Sequence, residues 1–360
     1  MARPPEFGKS ARYNYAKVEY RHVITNADAR KILTADPWSY LHAFLRDKAE
    51  NARGKNRCCY TRANYYANLA EDFYKASDAA TLPTRATLAY YGMLNLVKSF
   101  ISVRGVELET THEHHGLALT HGTKHEVTIQ AKPSPSSGKS IFYEFSRQLG
   151  KPPTTASCIN ILHACVNIPE LHSICHELGF FGTQKRRFLP VDIEIRTSES
   201  YDYLFSLLSF RKEDEQRTPS HRLLKGPRSD YFLEGVLDDG RVFHRSRKRK
   251  RLNKENWNRV FRNILQEYST FNITSLLTAS GYRYYLNLRD PDLHHLSYSM
   301  LAMFYAGTVA RYRPSEVEII MKGTQRAILT EAIALLPRQF LYQITSLTTD
   351  GLCVVPYSQI

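Results

Sequence analysis

The sequence predicts a mainly helical α+β fold, with a helical bundle built from both ends of the chain and a β-containing insert between them. Residues 36–105 carry three amphipathic helical patterns in succession, and residues 295–345 carry more. Between these regions, alternating apolar residues and turn signals indicate short strands. We therefore divide the chain into a first part of the bundle at 25–120, a mixed β/α insert at 121–288 and closing helices at 289–350.

The composition is that of a globular, strongly basic protein. With 360 residues, 42% of them hydrophobic, the chain can bury a sizeable core. Its formal net charge of +14 favours a polyanionic partner, first nucleic acid and then an anionic membrane surface. No apolar segment follows the basic N-terminal residues, and the weakly polar run 297–310 is too short to cross a bilayer of about 30 Å. We expect a cytoplasmic protein that does not span a membrane and keeps its six cysteines reduced.

Three helices are expected before residue 105. Asp36 and Pro37 have the character of an N-cap and a first helical residue, and the apolar face that follows them ends near Gly54. A second helix is expected at 56–77, and a third is capped by Thr84 and ends at Gly105. Three amphipathic helices joined by short links are typical of an antiparallel bundle.

The third helix also carries a polar stripe, which the histidine-rich segment 111–116 follows. The residues of this stripe are Tyr91, Asn95, Lys98 and Ser102. One interpretation is that Asn95, Lys98 and His115 bind a phosphate or another anion together. The alternative is a solvated helix face beside a surface loop. Adjacent histidines without a cysteine or an acid pair are not typical of zinc sites, so we expect no metal ion and no cofactor.

The insert is predicted to contain short strands and one helical segment. Strands are expected at 126–130, 141–145, 189–196 and 281–288, and the helical segment at 155–178. Asp238-Asp239-Gly240 predicts a hairpin within 231–243. The histidines and cysteines between 163 and 176 match no standard zinc spacing, and we interpret them as core residues.

A basic run covers the second half of this hairpin and the residues after it. Its candidate anion-binding residues are Arg245, Arg247, Lys248, Arg249, Lys250 and Arg251. In contact with nucleic acid, they would supply salt-sensitive affinity without reading the base sequence. The alternative is a solvated loop beyond the hairpin, and composition alone does not choose between the two.

The C-terminal part of the chain is organised around the segment 288–314. Apolar residues recur at helical spacing from Leu296 to Val309, so Arg289, Asp290 and His294 would lie at the mouth of a largely buried helix. One or two further helices then close the bundle. In the functional interpretation, Arg289 and His294 form the edge of an active site. In the structural one, the acids cap the helix dipole and pair with Arg289.

Three segments resemble the YaaC-like family of bacterial proteins. They are residues 38–41 (WSYL), residues 89–99 (AYYGMLNLVKS) followed by His115-Gly116, and residues 300–314 (MLAMFYAGTVARYRP). The resemblance covers both ends of the chain and is weakest through the insert. Membership of this family implies no particular activity.

A more distant resemblance is to HEPN domains, helical bundles that often act as metal-independent ribonucleases. The third helix and the histidine after it are similar to a common HEPN helix. HEPN nucleases carry an Arg, then Asn, Asp or His, then three residues and a His, and residues 289–294 (RDPDLH) fit this pattern. Pro291 departs from it, because proline removes one backbone amide at the start of the helix.

The HEPN resemblance implies an RNA endonuclease, as in bacterial toxins and antiphage defence. His294 would take the proton of a ribose 2′-hydroxyl, Arg289 would hold the scissile phosphate, and Asp290 would orient one of them. The products would end in 2′,3′-cyclic phosphates, and two protomers would pair as a homodimer. Arg104 with His112 is a competing pair of catalytic residues.

Two other functions stay open at this point. One is a non-catalytic module that uses the bundle and the basic insert to bind nucleic acid, RNA rather than DNA, or a protein partner. The other is a ligand sensor that acts through Asn95 and Lys98.

Overall fold

Helices dominate the chain, and short antiparallel strands occupy much of its middle, as the predicted α+β class requires. The structure, a computed structural model, describes residues 5–21, 30–109, 112–120, 125–130, 138–180, 188–210, 232–236, 242–247, 249–253, 255–269, 273–278, 281–289 and 292–356. Its helices in these ranges are α1 (Pro37–Asn51), α2 (Gly54–Ala79), α3 (Leu82–Val103), α4 (Ile141–Gln148), α5 (Ile161–Val166), α6 (Pro169–Glu177), α7 (Trp257–Ser269), α8 (His295–Tyr312), α9 (Pro314–Lys322) and α10 (Gln325–Thr349).

The strands form one large antiparallel sheet and several small ones. They are β1 (Lys9–Ser10), β2 (Arg12–Tyr13), β3 (Ala16–Lys17), β4 (Lys31–Leu33), β5 (Glu113–His114), β6 (Leu117–Leu119), β7 (Glu126–Ile129), β8 (Lys139–Ser140), β9 (Ser157–Asn160), β10 (Phe188–Thr197), β11 (Tyr203–Ser209), β12 (Phe232–Val236), β13 (Val242–Ser246), β14 (Lys250–Arg251), β15 (Ile273–Thr278), β16 (Gly281–Asn287) and β17 (Leu352–Val354). The large sheet has the order β12-β13-β11-β10-β16-β15, with β1 added to β10 and β14 to β11.

The first helix begins where its sequence predicts. The Asp36 carboxylate accepts hydrogen bonds from the amides of Trp38 and Ser39, and Pro37 occupies the first turn. The second helix begins two residues earlier than expected, and α3 begins three residues earlier, since it starts after Thr81 instead of Thr84. A shift of a few residues is expected, because several neighbouring residues near a helix start are suited to be its first residue or its cap.

Helix α8 is the centre of the bundle. Every residue from His295 to Val309 is buried, which requires neighbours on all sides of the helix. Helix α3 approaches it most closely at Gly307, whose carbonyl accepts a hydrogen bond from the Thr87 hydroxyl at 3.1 Å. A Cβ at position 307 would lie 3.2 Å from the Ala86 carbonyl oxygen, so the missing side chain permits this approach. Helices from both ends of the chain thus share one core.

Residues 141–145 form a helix, and the prediction of a strand there was wrong. The Ser140 hydroxyl accepts a hydrogen bond from the Tyr143 amide and caps α4. Ile141, Phe142 and Phe145 are buried in the bundle core, at a spacing that suits a helix as well as a strand in so short a run. The segment expected to be helical from 155 likewise begins with β9, before α5 and α6.

A second core lies on the large sheet. Helix α7 covers it together with Ala11, Val18 and Tyr20 from the N-terminal segment. Strands β10 and β16 form where alternation predicts them, and β12 pairs with β13 as the hairpin prediction requires. The turn residues 238–240 lie outside the described residues. The proposed division into domains stays a prediction.

A buried histidine gives the bundle an expected sensitivity to acid. His295 is 3% exposed, its Nε2–H donates to Gln343 Oε1 at 2.9 Å, and burial lowers its pKa from 6.5 to about 4. Between these values the unfolded chain binds a proton that the folded chain does not, so stability falls as the pH falls from 6.5 towards 4. In His295→Gln, this slope should decrease by up to about 1.4 kcal/mol per pH unit. Urea unfolding at pH 7, 6 and 5 measures the free energy of unfolding of both proteins. If this free energy has the same pH dependence in both, His295 is not the source of the acid sensitivity.

Candidate nucleic-acid interface

The polar stripe of α3 is engaged in contacts within the protein. The Lys98 ammonium lies 3.0 Å from a carboxylate oxygen of Glu113 and 5.1 Å from the centre of the Tyr66 ring. The Asn95 amide donates to the carbonyl of Tyr91, one turn earlier in the same helix. Since both side chains already have partners, an anion would have to compete with Glu113 for Lys98.

His115 joins this stripe from the segment after α3. Its Nδ1 lies 2.9 Å from the Tyr90 hydroxyl. Its pKa is lowered, first by burial and then by the positive charges of Arg311 and Lys98. The charge of Lys98 therefore acts on His115, and so does that of Arg311, which the sequence did not single out.

Arg311 is held against the aromatic side of α3. Its guanidinium donates to the Tyr91 hydroxyl and lies 4.9 Å from the centre of that ring. It also donates to the Gly307 carbonyl at 3.2 Å, and it has no carboxylate partner among the described residues. Arg311 thus joins α8 to α3 through its hydrogen bond and ring contact with Tyr91.

Arg104 and His112, the competing catalytic pair, have separate partners. Arg104 donates to the Leu347 carbonyl at 3.0 Å and stacks over Phe100. The backbone carbonyl of His112 accepts a hydrogen bond from the Lys139 amide. No hydrogen bond between the Arg104 and His112 side chains is present in the described part of the chain, so the geometry does not single them out as a catalytic pair.

The Arg289 and His294 motif lies directly before α8. Arg289 is exposed and His294 is half-buried, while Asp290 lies outside the described residues. His294 is the N-cap of α8, and its Nδ1 accepts a hydrogen bond from the Leu296 amide at 3.2 Å. The histidine itself therefore caps the helix, a role that the structural interpretation gave to the acids.

The basic run divides into buried and exposed parts. Arg245 is 6% exposed and lies over the Phe205 ring, and burial lowers its pKa, so it does not reach the surface. Arg247, Arg249 and Arg251 are exposed and Lys250 is half-buried. Lys248 lies outside the described residues. Strand alternation does not explain this division, because the four successive residues 243–246 are all buried; β13 lies between β11 and β12, whereas Arg247 follows the end of the strand.

Two of the exposed arginines, Arg249 and Arg251, lie beside Tyr203. Arg249 lies 5.4 Å from the centre of the Tyr203 ring, and Arg251 is paired with Tyr203 across β14 and β11. Directly opposite residues in antiparallel strands point to the same face. The Lys9 ammonium lies 5.5 Å from the centre of the Tyr201 ring. We refer to Lys9, Tyr201, Tyr203, Arg247, Arg249 and Arg251 as the cation–tyrosine face. This surface extends around the end of the sheet, because the pairing of Lys9 with Thr197, and of Thr197 with Leu204, directs Lys9 to the side opposite to Tyr203. Glu6 connects the two sides, since it contacts both Arg249 and the Glu199 amide.

The family model described as YaaC-like Protein matches residues 24–348. The chain belongs to the YaaC-like family. This confirms the resemblance seen at both chain ends and extends it through the insert, where the sequence signal was weakest. Neither a curated protein nor a solved structure shows significant similarity to the chain.

Most of the YaaC-like match lies in the described residues, including both the bundle and β10 to β16. None of the described helices of this YaaC-like protein is both long and apolar enough to cross a membrane. The tyrosines of the cation–tyrosine face were missed by the sequence analysis, although Tyr201 and Tyr203 are two residues apart. The available signal was two tyrosines near the start of a strand, with Tyr201 in the turn before β11 and Tyr203 as its first residue.

Proposed function

We propose that this protein binds single-stranded RNA through the cation–tyrosine face. The observation that carries the proposal is Arg249 over the ring of Tyr203, which is 37% exposed on the sheet, while Tyr201 in the turn before β11 is 55% exposed. Proteins that bind single strands combine a positively charged surface with aromatic rings on which bases stack. The net charge of +14 adds long-range attraction for a polyanion.

The carboxylates on this face do not prevent RNA binding. Glu199 lies 2.9 Å from the Lys9 ammonium, and Glu6 lies 3.3 Å from a guanidinium nitrogen of Arg249. Both pairs are partly solvent-exposed, and such pairs contribute only about 0–1 kcal/mol. A phosphate group can therefore replace either carboxylate at little cost. Arg247 and Arg251 have no carboxylate partner among the described residues.

A salt titration tests this proposal. A labelled 12-nucleotide single-stranded RNA, the same sequence as a duplex, and single-stranded DNA are titrated with the protein at 50–300 mM NaCl. We expect the logarithm of the affinity to fall linearly with the logarithm of salt, and the single-stranded RNA to bind best. Equal affinity for the duplex, or no binding at 50 mM NaCl, would contradict the proposal.

A second candidate function is RNA cleavage in a bundle of HEPN type. One observation favours it: Asp292, inside the motif, lines a cleft of about 660 Å³ together with His163 and Asn160. In the conformation described, however, the Nδ1 of His294 accepts a hydrogen bond, so the neutral ring carries its proton on Nε2. Before it accepts a proton from a ribose hydroxyl, His294 would have to release the hydrogen bond between Nδ1 and the Leu296 amide, or move its own proton from Nε2 to Nδ1.

Two substitutions of His294 separate capping from catalysis. His294→Ala should lower the free energy of unfolding by about 0.5–2 kcal/mol, because the Leu296 amide loses its acceptor, whereas His294→Asn should retain the cap. Unfolding in urea measures both effects. The nuclease would be supported if the unmodified protein cleaves tRNA in EDTA and leaves products with cyclic phosphate ends, and if the stable Asn variant does not cleave tRNA. Absent cleavage, or cleavage that survives in the Asn variant, would exclude this role for His294.

A further inference from the structure

A pocket of about 510 Å³ adjoins the cation–tyrosine face. It lies between the β2–β3 hairpin, the turn before β11 and the start of α7. Three aromatic residues, Tyr13, Tyr201 and Trp257, line it. The Tyr13 and Trp257 rings are 5.3 Å apart at an interplanar angle of 51°. Pockets for small organic ligands are about 300–1,000 Å³ in volume and mainly apolar or aromatic, so this one is of a suitable size and kind.

Polar groups at the same pocket suit the edge of a planar heterocycle. Arg12, Asn14 and Asn253 also line it and supply amide and guanidinium groups. A reciprocal pair of hydrogen bonds holds Asn253 in place. Its backbone amide donates to Asn256 Oδ1, and its own Oδ1 accepts from the backbone amide of Asn256. Donors and acceptors of this kind distinguish one base edge from another.

A buried hydroxyl in the wall of the pocket has no partner. Thr197 is 1% exposed, and its Oγ1 makes no hydrogen bond with any described residue. An unsatisfied buried polar group costs about 1–3 kcal/mol. Because this oxygen is itself inaccessible to solvent, a ligand reaches it only if the side chains around it shift.

The backbone around the pocket is strained where it holds the aromatic side chains outward. Tyr201 has a φ of 63°, and the two-residue turn between β2 and β3 places Asn14 and Tyr15 at φ values of 48° and 66°. Glycine or asparagine is the usual residue in such conformations, and a bulky side chain there is an outlier. Strain of this kind is concentrated at binding sites, where the surrounding structure maintains it.

We propose that this pocket takes one unstacked nucleobase of the bound RNA. The inference rests on the proposed function, because the adjoining cations would hold the flanking phosphates. The base stacks on the aromatic wall formed by Trp257 and Tyr201, and its edge meets the polar groups of Asn14 and Asn253. The pocket thus adds contacts to the base, whereas the cations alone contact only the backbone.

The chain has two tryptophans, and their fluorescence can report whether RNA enters the pocket. Trp38 lies in the bundle core and Trp257 lines the pocket, so Trp38→Phe leaves one reporter at the site and Trp257→Phe leaves one far from it. We expect the 12-nucleotide RNA to quench the fluorescence of the Trp38→Phe protein and not that of the Trp257→Phe protein. The Trp257→Phe protein should still bind RNA but more weakly, since phenylalanine offers a smaller ring for the base to stack on. Tyr201→Ala, at a largely exposed position, should weaken binding roughly 5- to 150-fold without loss of stability.

The outcomes distinguish the pocket from the proposed function. RNA binding without quenching of Trp257, and with unchanged affinity in Tyr201→Ala, would overturn the pocket and leave the RNA-binding proposal standing. If RNA does not bind but millimolar AMP or UMP quenches Trp257, the pocket is supported and the RNA-binding proposal is overturned. Absence of both signals would overturn both.

Discussion

Replacing Arg247, Arg249 and Arg251 together with glutamine is expected to weaken single-stranded RNA binding roughly 100-fold at 0.1 M salt. All three side chains are exposed on or beside the sheet surface that carries Tyr203. Each phosphate contact on a single strand contributes about 0.7 to the salt slope, which corresponds to about 0.7 logarithmic units of affinity at 0.1 M salt. Three lost contacts therefore reduce the salt slope by about 2.

A matched variant separates this local effect from the effect of net charge. Arg46, Arg53 and Arg57 are equally exposed but lie on α1 and at the start of α2, away from the sheet. Their replacement by glutamine removes the same number of charges, and we expect it to change affinity less than fivefold, an order-of-magnitude expectation for long-range attraction alone. Fluorescence anisotropy at four salt concentrations measures both variants. If the two triple variants lose the same amount of RNA affinity, binding depends on the overall charge of the protein and not on this face.

The sequence predicted the bundle better than the insert for a physical reason. Long amphipathic helices such as α3 repeat their apolar signal over several turns, and a cap such as Asp36 marks the start. The eight residues of α4 offer no such repetition, and IFYEF has the aromatic and β-branched composition of a strand. Burial of Phe142 and Phe145 against the bundle decides its conformation, and that information lies in distant parts of the chain.

The candidate interface depends on contacts that no local pattern contains. The basic run was visible in the sequence, but the pairing of β14 with β11 decides that Arg251 lies opposite Tyr203. Lys9 reaches Tyr201 only because β1 joins the large sheet at β10. The burial of Arg245 follows likewise from its pairing with Leu207 in the middle of the sheet. Strand order is set by long-range packing, so a sequence pattern finds the charges but not their neighbours.

The His294 motif shows the opposite case. Its six residues are contiguous, so the sequence placed Arg289 and His294 correctly at the mouth of α8. The same six residues do not distinguish a catalytic histidine from a capping one, because both lie at a helix start. Only the hydrogen bond from the Leu296 amide to Nδ1 separates the two roles, and a tautomer cannot be read from a sequence.

The bundle core makes a further prediction, since one column of aromatic rings joins three distant parts of the chain. Phe340 of α10 packs on Phe145 of α4, with ring centres 5.7 Å apart, and Phe145 packs on Phe100 of α3, with ring centres 6.1 Å apart. Each of the three rings is 0–1% exposed. The closing helix, the predicted insert and the first part of the bundle therefore depend on each other for burial.

Phe340→Ala is accordingly expected to lower the free energy of unfolding of the bundle by about 3–5 kcal/mol. The lost ring leaves a cavity beside Phe145, and the edge and face contacts of the aromatic pair are lost with it. Leu335→Ala is the control in the same helix, because Leu335 is 37% exposed, and it should cost less than about 1 kcal/mol. Trp38 lies in the same core, so its fluorescence in urea reports the transition. If both variants lose a similar amount of free energy of unfolding, α10 does not close the core in solution and the bundle is stable without this helix.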